Sequence, residues 1–216
     1  MDQLNDYIKK LYIGGKPNNK PYFINKCNIY FPSNNDKILI DEVGKYSISK
    51  PDKANLITDI IIKIMNTTNL TITDGTACIG GDTLAFSQKF SHVNSIELDK
   101  TRYEYLKHNM SIFGRTNISF YNDSYLNLYS TLKQDVIYLD PPWGGPEYKN
   151  QQYVKLSLGN MPLEELCRNI IENKLCKLIV LKLPFNYDLK DFKNLHRFKM
   201  YNLNRILLIT FKILGD

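Results

Sequence analysis

The apolar run Val136–Leu139 is closed by a carboxylate, two prolines, a tryptophan and two glycines: Asp140, Pro141, Pro142, Trp143, Gly144 and Gly145. These residue types suit the capture of a flat, polar molecule. Asp140 and the Pro141 carbonyl accept hydrogen bonds, neither proline carries an N–H to compete there, and Trp143 offers a face on which a ring can stack. Three other apolar runs also end in polar residues. Asp74-Gly75-Thr76 leads to the pair Gly80-Gly81, where glycine lets backbone approach a ligand at the mouth of a helix. Glu97 follows, about twenty residues on, where an acidic side chain can take both hydroxyls of a ribose. Asn122-Asp123-Ser124 can accept a hydrogen bond from an adenine amine.

Such residues act together only if the strands that carry them lie side by side. From Leu70 the sequence alternates strand, turn and helix. Strands are predicted over Leu70 to Asp74, Val93 to Asp99, Asn117 to Asp123, Asp135 to Asp140 and Cys176 to Pro184, with helices near residues 83–90, 100–113 and 162–173. A further helix is predicted from Ser49, with Pro51 in its first turn and Ile57, Ile60, Ile61, Ile64 and Met65 on one apolar stripe. Alternation of this kind produces right-handed βαβ units and a mainly parallel sheet, whose ligands sit beyond the carboxyl ends of the strands. The last segment, His196 to Leu214, holds two strand patterns separated by Asn-Leu-Asn, hence a closing antiparallel hairpin.

The expected fold is therefore α/β, a Rossmann-like, seven-stranded and mostly parallel sheet with a C-terminal antiparallel hairpin; it looks like the class I methyltransferase fold. Residues 1–50 read as a small N-terminal extension packing on a catalytic domain of residues 51–216. With that fold, the strand ends fit S-adenosylmethionine, held by Asp74, Gly75, Thr76, Gly80, Glu97, Asp123, Ser124 and Asp140.

The chain has 216 residues, enough for one domain with a real core. Its formal charge of +6 favours a polyanionic partner, and between Lys174 and Lys212 nine basic residues face only Asp188 and Asp191. Cys27, Cys78, Cys167 and Cys176 show no CxxC spacing and no histidine cluster, so neither a zinc site nor a disulfide framework is expected. The first residues lack the apolar core of a secretory leader and no apolar run is long enough for a membrane span; a soluble, intracellular monomer is expected. Abundant Asn, Ile, Lys and Tyr suit AT-rich coding, as in a large DNA virus or a protist.

The string DPPWGGPEY, Asp140 to Tyr148, resembles the signature of trimethylguanosine synthases, which carry Pro-Pro-Trp-Gly-Gly-Pro-acidic-Tyr. Two other segments are similar to that family: EVGKYSISKPDKANLI from Glu42, and the loop DGTACIGGD from Asp74. Cys78 stands where the family usually has glycine, and Asp140 where serine is common. The resemblance implies transfer of one or two methyl groups from S-adenosylmethionine to N2 of a 7-methylguanosine RNA cap. It implies catalytic roles for Asp140, Pro141 and Trp143, substrate contacts from Trp143, Pro142, Tyr46 and Ser49, and a segment Tyr46 to Pro51 that closes over the cofactor. An exocyclic amine is a poor nucleophile, so acceptors for its protons and a fixed orientation are what the site must supply. Lys182, Arg197, Lys199 and Arg205 are the basic residues expected to meet phosphate. A nuclear or cytoplasmic location is expected, in the host cytoplasm if the source is viral. Two alternatives stay open: methylation of adenine N6 or an internal guanine, which the Asp-Pro-Pro start also suits, and a non-catalytic cap-binding module.

Overall fold

A computed structural model describes residues 22–23, 30–33 and 37–213. The loop signal Gly14 to Pro21 and Cys27 lie outside the described residues. Seven strands form one sheet: β1 (Thr71–Asp74), β2 (His92–Ile96), β3 (Ile118–Tyr121), β4 (Val136–Leu139), β5 (Leu178–Pro184), β6 (Phe198–Asn202) and β7 (Ile206–Lys212). Their order across the sheet is β6-β7-β5-β4-β1-β2-β3. β1 to β5 pair in parallel, while β7 runs antiparallel to both β5 and β6. The strand order reverses between β1 and β4, and at such a switch point the loops diverge and open a crevice beyond the strand ends.

Six α-helices connect the described strands and precede them: α1 (Glu42–Ser47), α2 (Pro51–Met65), α3 (Gly81–Ser87), α4 (Lys100–Ile112), α5 (Tyr125–Leu128) and α6 (Leu163–Glu172). α2 starts on Pro51, whose missing N–H costs nothing in a first turn, and stops at Asn66 in the left-handed conformation, φ 53°. Period-two alternation along β4 and β5 splits the core into two layers. Ile137, Leu139, Ile179, Leu181 and Leu183 pack with α6; Val136, Tyr138, Leu178 and Val180 pack with Ile57 and Ile61 of α2 and Phe86 of α3.

A third cluster joins Phe31, Ile38 and Ile40 to Ile79, Leu106 and Met110, so residues just before α1 cover the loop after β1. Leu39–Ile40 pairs with Tyr22–Phe23 in a short antiparallel ribbon. α1 has no apolar stripe to announce it. It is set by its cap, Asp41 accepting from the Gly44 N–H at 2.6 Å, and by the close approach of Gly44, where a Cβ would lie 3.1 Å from Ile79. The closing hairpin turns on Asn204 and Arg205, φ 56° and 66°, rather than on the three residues Asn-Leu-Asn. Two positive φ angles in succession give a two-residue turn whose twist matches that of the flanking strands.

Candidate active site

The polar strand ends meet at the carboxyl edge of β1, β2 and β4. Asp74 ends β1 with 1% of its surface exposed. Thr83 Oγ1 of α3 donates to its Oδ2 at 2.6 Å and also meets Ser95 Oγ at 2.8 Å. Burial, and then the charge of Asp82, push the Asp74 carboxyl up to about 8. Gly75 is enclosed: a Cβ there would lie 2.5 Å from Leu139 Cδ2 and 3.0 Å from Tyr125 Cγ. Thr76 Oγ1 accepts from the Asp140 N–H at 2.8 Å, tying the β1 loop to the β4 loop. The intervening turn places Cys78 at φ 50° and Gly80 at φ 100°. The left-handed region costs a residue with a Cβ about 1–2 kcal/mol, which accounts physically for glycine being usual at the position of Cys78.

Glu97 lies just beyond β2 and is largely buried. Its two oxygens accept from the Cys78 N–H (2.9 Å) and the Asp99 N–H (2.8 Å), and Arg102 stands 3.5 Å away. Burial raises the Glu97 carboxyl above its ordinary range and Arg102 opposes that rise. Arg102 also reaches Asp41 and Asp99, each at 3.5 Å, so one cation clamps the α1 cap and the α4 cap to this corner. A carboxylate has about four lone-pair directions, so Glu97 keeps acceptor capacity for a sugar. Asn122 donates to the carbonyls of Glu97 and Leu98, Asp123 Oδ1 accepts from the Ser124 N–H and from Asn127, and Ser124 caps α5. Leu98, which sequence reasoning missed, is 70% exposed beside Glu97 and presents apolar surface there.

At the end of β4, Pro141 is buried, Pro142 exposed and Trp143 half-buried. Trp143 meets Tyr148 edge to face, centroids 5.2 Å apart, and its buried indole N–H makes no hydrogen bond of good geometry but lies near enough to the Asp140 carboxyl to help hold its pKa down. Gly144 and Gly145 take φ 81° and 77°, the reason two glycines follow the tryptophan: the chain reverses there in a conformation closed to most side chains. Asn186, just past β5, donates to the carbonyls of Tyr148 (2.8 Å) and Gln151 (2.7 Å) and fastens this loop down.

A buried polar network underlies that edge. Lys182 of β5 donates to Asp140 Oδ2 at 2.5 Å and to Ser49 Oγ at 2.6 Å. Ser49 in turn donates to Asp82 Oδ2 at 2.5 Å, and Tyr138 OH donates to the same oxygen at 2.9 Å. Burial pushes the Asp140 carboxyl up to about 6, with Lys182 holding it down from a higher value. Burial also opposes the Lys182 charge, but Asp140 and Asp82 outweigh it and raise its pKa.

The geometry sorts the residues expected from sequence. Asp74, Glu97, Asp140 and Trp143 line one edge. Ser49, expected at the substrate, is 5% exposed with both hydroxyl bonds made inside the protein; Tyr46 on the same segment is 52% exposed. Lys182, expected to meet phosphate, is 5% exposed and ion-paired. Arg205 sits on the hairpin turn at the carboxyl edge, next in line to Ile206, which pairs with Pro184, and its charge reaches Tyr148. Arg197 and Lys199 lie at the opposite edge, Lys199 pairing with Thr210; a polar hollow of about 390 Å³ lined by Lys193, His196 and Arg197 opens there. A lysine inside the otherwise apolar LIVLKLP was the signal for a buried partner. Asp82 and Tyr138 gave none.

The family profile described as RNA cap guanine-N2 methyltransferase matches residues 70–215, the whole sheet and every strand end described above. The chain belongs to the RNA cap guanine-N2 methyltransferase family. Among relatives of the chain, an uncharacterized protein of Acanthamoeba polyphaga mimivirus is 38% identical over 139 residues, covering 63% of this chain and 54% of that protein. The Schizosaccharomyces pombe trimethylguanosine synthase is 26% identical over 180 residues, covering 80% of this chain and 73% of its own. The chain thus spans about half the length of the mimivirus relative. Among solved structures, a Porphyromonas gingivalis protein described as a methyltransferase superposes with TM-score 0.62 at 18% identity, over 84% of this chain and 45% of that one. An rRNA methylase from Streptococcus thermophilus gives TM-score 0.53 at 14% identity, over 78% and 99%. Those likenesses show the fold, the class I methyltransferase fold, which with the family implies use of S-adenosylmethionine. The residues present fit that group. Asp74, Glu97 and Asp123 would supply acceptors for an ammonium, ribose hydroxyls and an adenine amine, Leu98 would supply an apolar face, and the Oδ1 of Asp82 is buried without a partner.

Proposed function

We propose that this methyltransferase moves a methyl group from S-adenosylmethionine to N2 of the guanine in a 7-methylguanosine RNA cap, yielding a di- or trimethylguanosine cap. The observation that carries the reading is the end of β4. Asp140, the Pro141 carbonyl and Trp143 stand together at the switch point of the sheet, beside the strand ends that fit the cofactor. When bound, S-adenosylmethionine supplies an electrophilic methyl on a sulfonium, with S-adenosylhomocysteine left as product. Trp143 stacks on the cap base, and N7 methylation, which makes guanine cationic, adds about 0.5–2 kcal/mol over an indole. Asp140 and the Pro141 carbonyl accept from the N2 protons and hold the amine in one orientation. Asp140 need not be a strong base, since the attacking amine becomes acidic as its bond to the methyl carbon forms and the C–S bond breaks, and a hydrogen-bonded carboxylate takes its proton late. Pro142 and Tyr46, both exposed, border the base, and Arg205 meets the cap phosphates.

One observation favours a second reading. A carboxylate at the head of the motif, Asp140, also suits adenine N6 or an internal guanine. Incubation of the protein with labelled S-adenosylmethionine and either 7-methylguanosine triphosphate, guanosine triphosphate or uncapped RNA, followed by nucleoside analysis, separates these. Label in 2,7-dimethylguanosine or 2,2,7-trimethylguanosine is expected. Label in N6-methyladenosine, or in uncapped RNA alone, overturns the cap assignment.

A further inference from the structure

β5 is buried at all seven positions, and Lys182 is its only charged residue. A lysine there is costly: removing an ion from water takes several kcal/mol, and a well-packed apolar residue in place of a buried ion pair is often as stable or more so. Packing therefore gives no reason for it. The strand pairing does. Leu139 of β4 stands opposite Leu181 of β5, so Asp140 and Lys182 follow side by side on the face covered by α2 and α3. Lys182 closes on Asp140 at 2.5 Å, through Oδ2, and on Ser49, 133 positions away in sequence, at 2.6 Å.

We propose that Lys182 is a positioning residue of the methyl transfer, holding Asp140 as an ionised acceptor turned toward the substrate amine and tying it through Ser49 to the segment between α1 and α2. The inference rests on the role given above to Asp140. Lys182 binds Oδ2 and the Trp143 indole N–H also approaches the carboxylate, so both neighbours orient it while lone-pair directions remain for an N–H of the substrate. Asp140 is faced by Lys182 from β5, by Asp82 from α3, by Asp74 from β1, by Tyr138 on β4 itself and by the indole N–H of Trp143 on the loop that follows. Lys182 is the only cation among them. Without it, burial and the acidic neighbours protonate Asp140, and a protonated carboxyl presents a donor to an amine that itself donates. The pair also gives a physical reason for the departure at Asp140: a serine needs no counter-charge, whereas a buried carboxylate does.

The test uses the full chain and four proteins: wild type, Lys182→Met, Asp140→Ser, and the double variant. The Asp140 carboxyl is titrated by carbon-13 NMR, and kcat and KM for cap methylation are measured against pH. In Lys182→Met the Asp140 titration and the acid limb of kcat move up by about one pH unit or more. At neutral pH kcat falls about 30-fold or more, while KM for the cofactor changes little. The double variant, which removes both charges, recovers about tenfold or more over Lys182→Met. Folding of each variant is checked by thermal melting, and the neutral double variant keeps the test open if Lys182→Met does not fold. An unmoved Asp140 titration, or a double variant no better than the single ones, overturns the proposal. A moved titration in a protein that methylates no cap would remove the cap reading and leave the Lys182–Asp140 assignment standing.

Discussion

Replacing Trp143 by alanine should weaken recognition of the cap while sparing the cofactor. Stacking of one base on an aromatic side chain is worth about 1–3 kcal/mol, and the cationic base adds about 0.5–2 kcal/mol. Together these predict a loss in kcat/KM for 7-methylguanosine caps of roughly tenfold to a few thousandfold, at 1.4 kcal/mol per decade. The preference for a methylated over an unmethylated cap, about 2- to 30-fold on the cationic contribution alone, should shrink to near unity. Trp143 also packs edge to face on Tyr148, a contact worth about 0.5–1.5 kcal/mol, so some loss of melting temperature accompanies the change. Calorimetric titration of S-adenosylmethionine separates the two effects, because Asp74, Glu97 and Asp123 lie on other strand ends. Steady-state kinetics on both caps gives the rest. An equal loss of cofactor affinity and cap turnover in a folded Trp143→Ala protein would refute the stacking role.

Three further outcomes are expected. Asp74 has a folded pKa of about 8 against an ordinary 3.8; a carboxyl raised on folding contributes stability that is complete below its unfolded value and is lost as pH climbs through the folded one. The ligand-free protein should therefore lose stability from about pH 4 to pH 8, and Asp74→Asn should flatten that slope in chemical denaturation; an unchanged slope would show that Asp74 does not hold the proton. Gly75→Ala forces a Cβ to 2.5 Å from Leu139 Cδ2 and should cost about 1–3 kcal/mol of stability, whereas a neutral result would mean that Leu139 yields freely. Arg205→Ala should raise KM for capped RNA several-fold and reduce the salt dependence of binding by about one phosphate contact, with cofactor affinity intact; no change in either would remove Arg205 from the phosphate path.

The parallel sheet could be read in advance because each strand is a short apolar run between turn signals, and because the strands stop on polar residues that packing does not explain. Asp74, Glu97, Asp123 and Asp140 stand out as candidates in this way. What could not be read was any contact set by the sheet order. Asp140 and Lys182 are 42 positions apart, and Ser49 and Lys182 are 133 apart. Only the pairing of β4 with β5, with α2 laid across them, makes them neighbours, and so sequence alone places Lys182 among the phosphate-meeting cations and Ser49 among substrate contacts. α1 went unnoticed for a local reason: six residues with a glycine at the third position carry no helical period, and it is Gly44 against Ile79 that gives the helix its place. The turn at Asn204 and Arg205 was displaced by one residue because an arginine at positive φ is not something composition announces.

Transfer to the exocyclic amine of a methylated cap is tested most directly by two capped RNAs. They are identical but for the cap base, 7-methylguanosine in one and 7-methylinosine in the other, which lacks the 2-amino group and keeps the cationic ring. Each is incubated with the protein and S-adenosylmethionine, and the digested cap is weighed by mass spectrometry. The added mass of one or two methyl groups is expected on the guanosine cap and none on the inosine cap. Equal gain on both caps, or gain on neither, would contradict transfer to that amine.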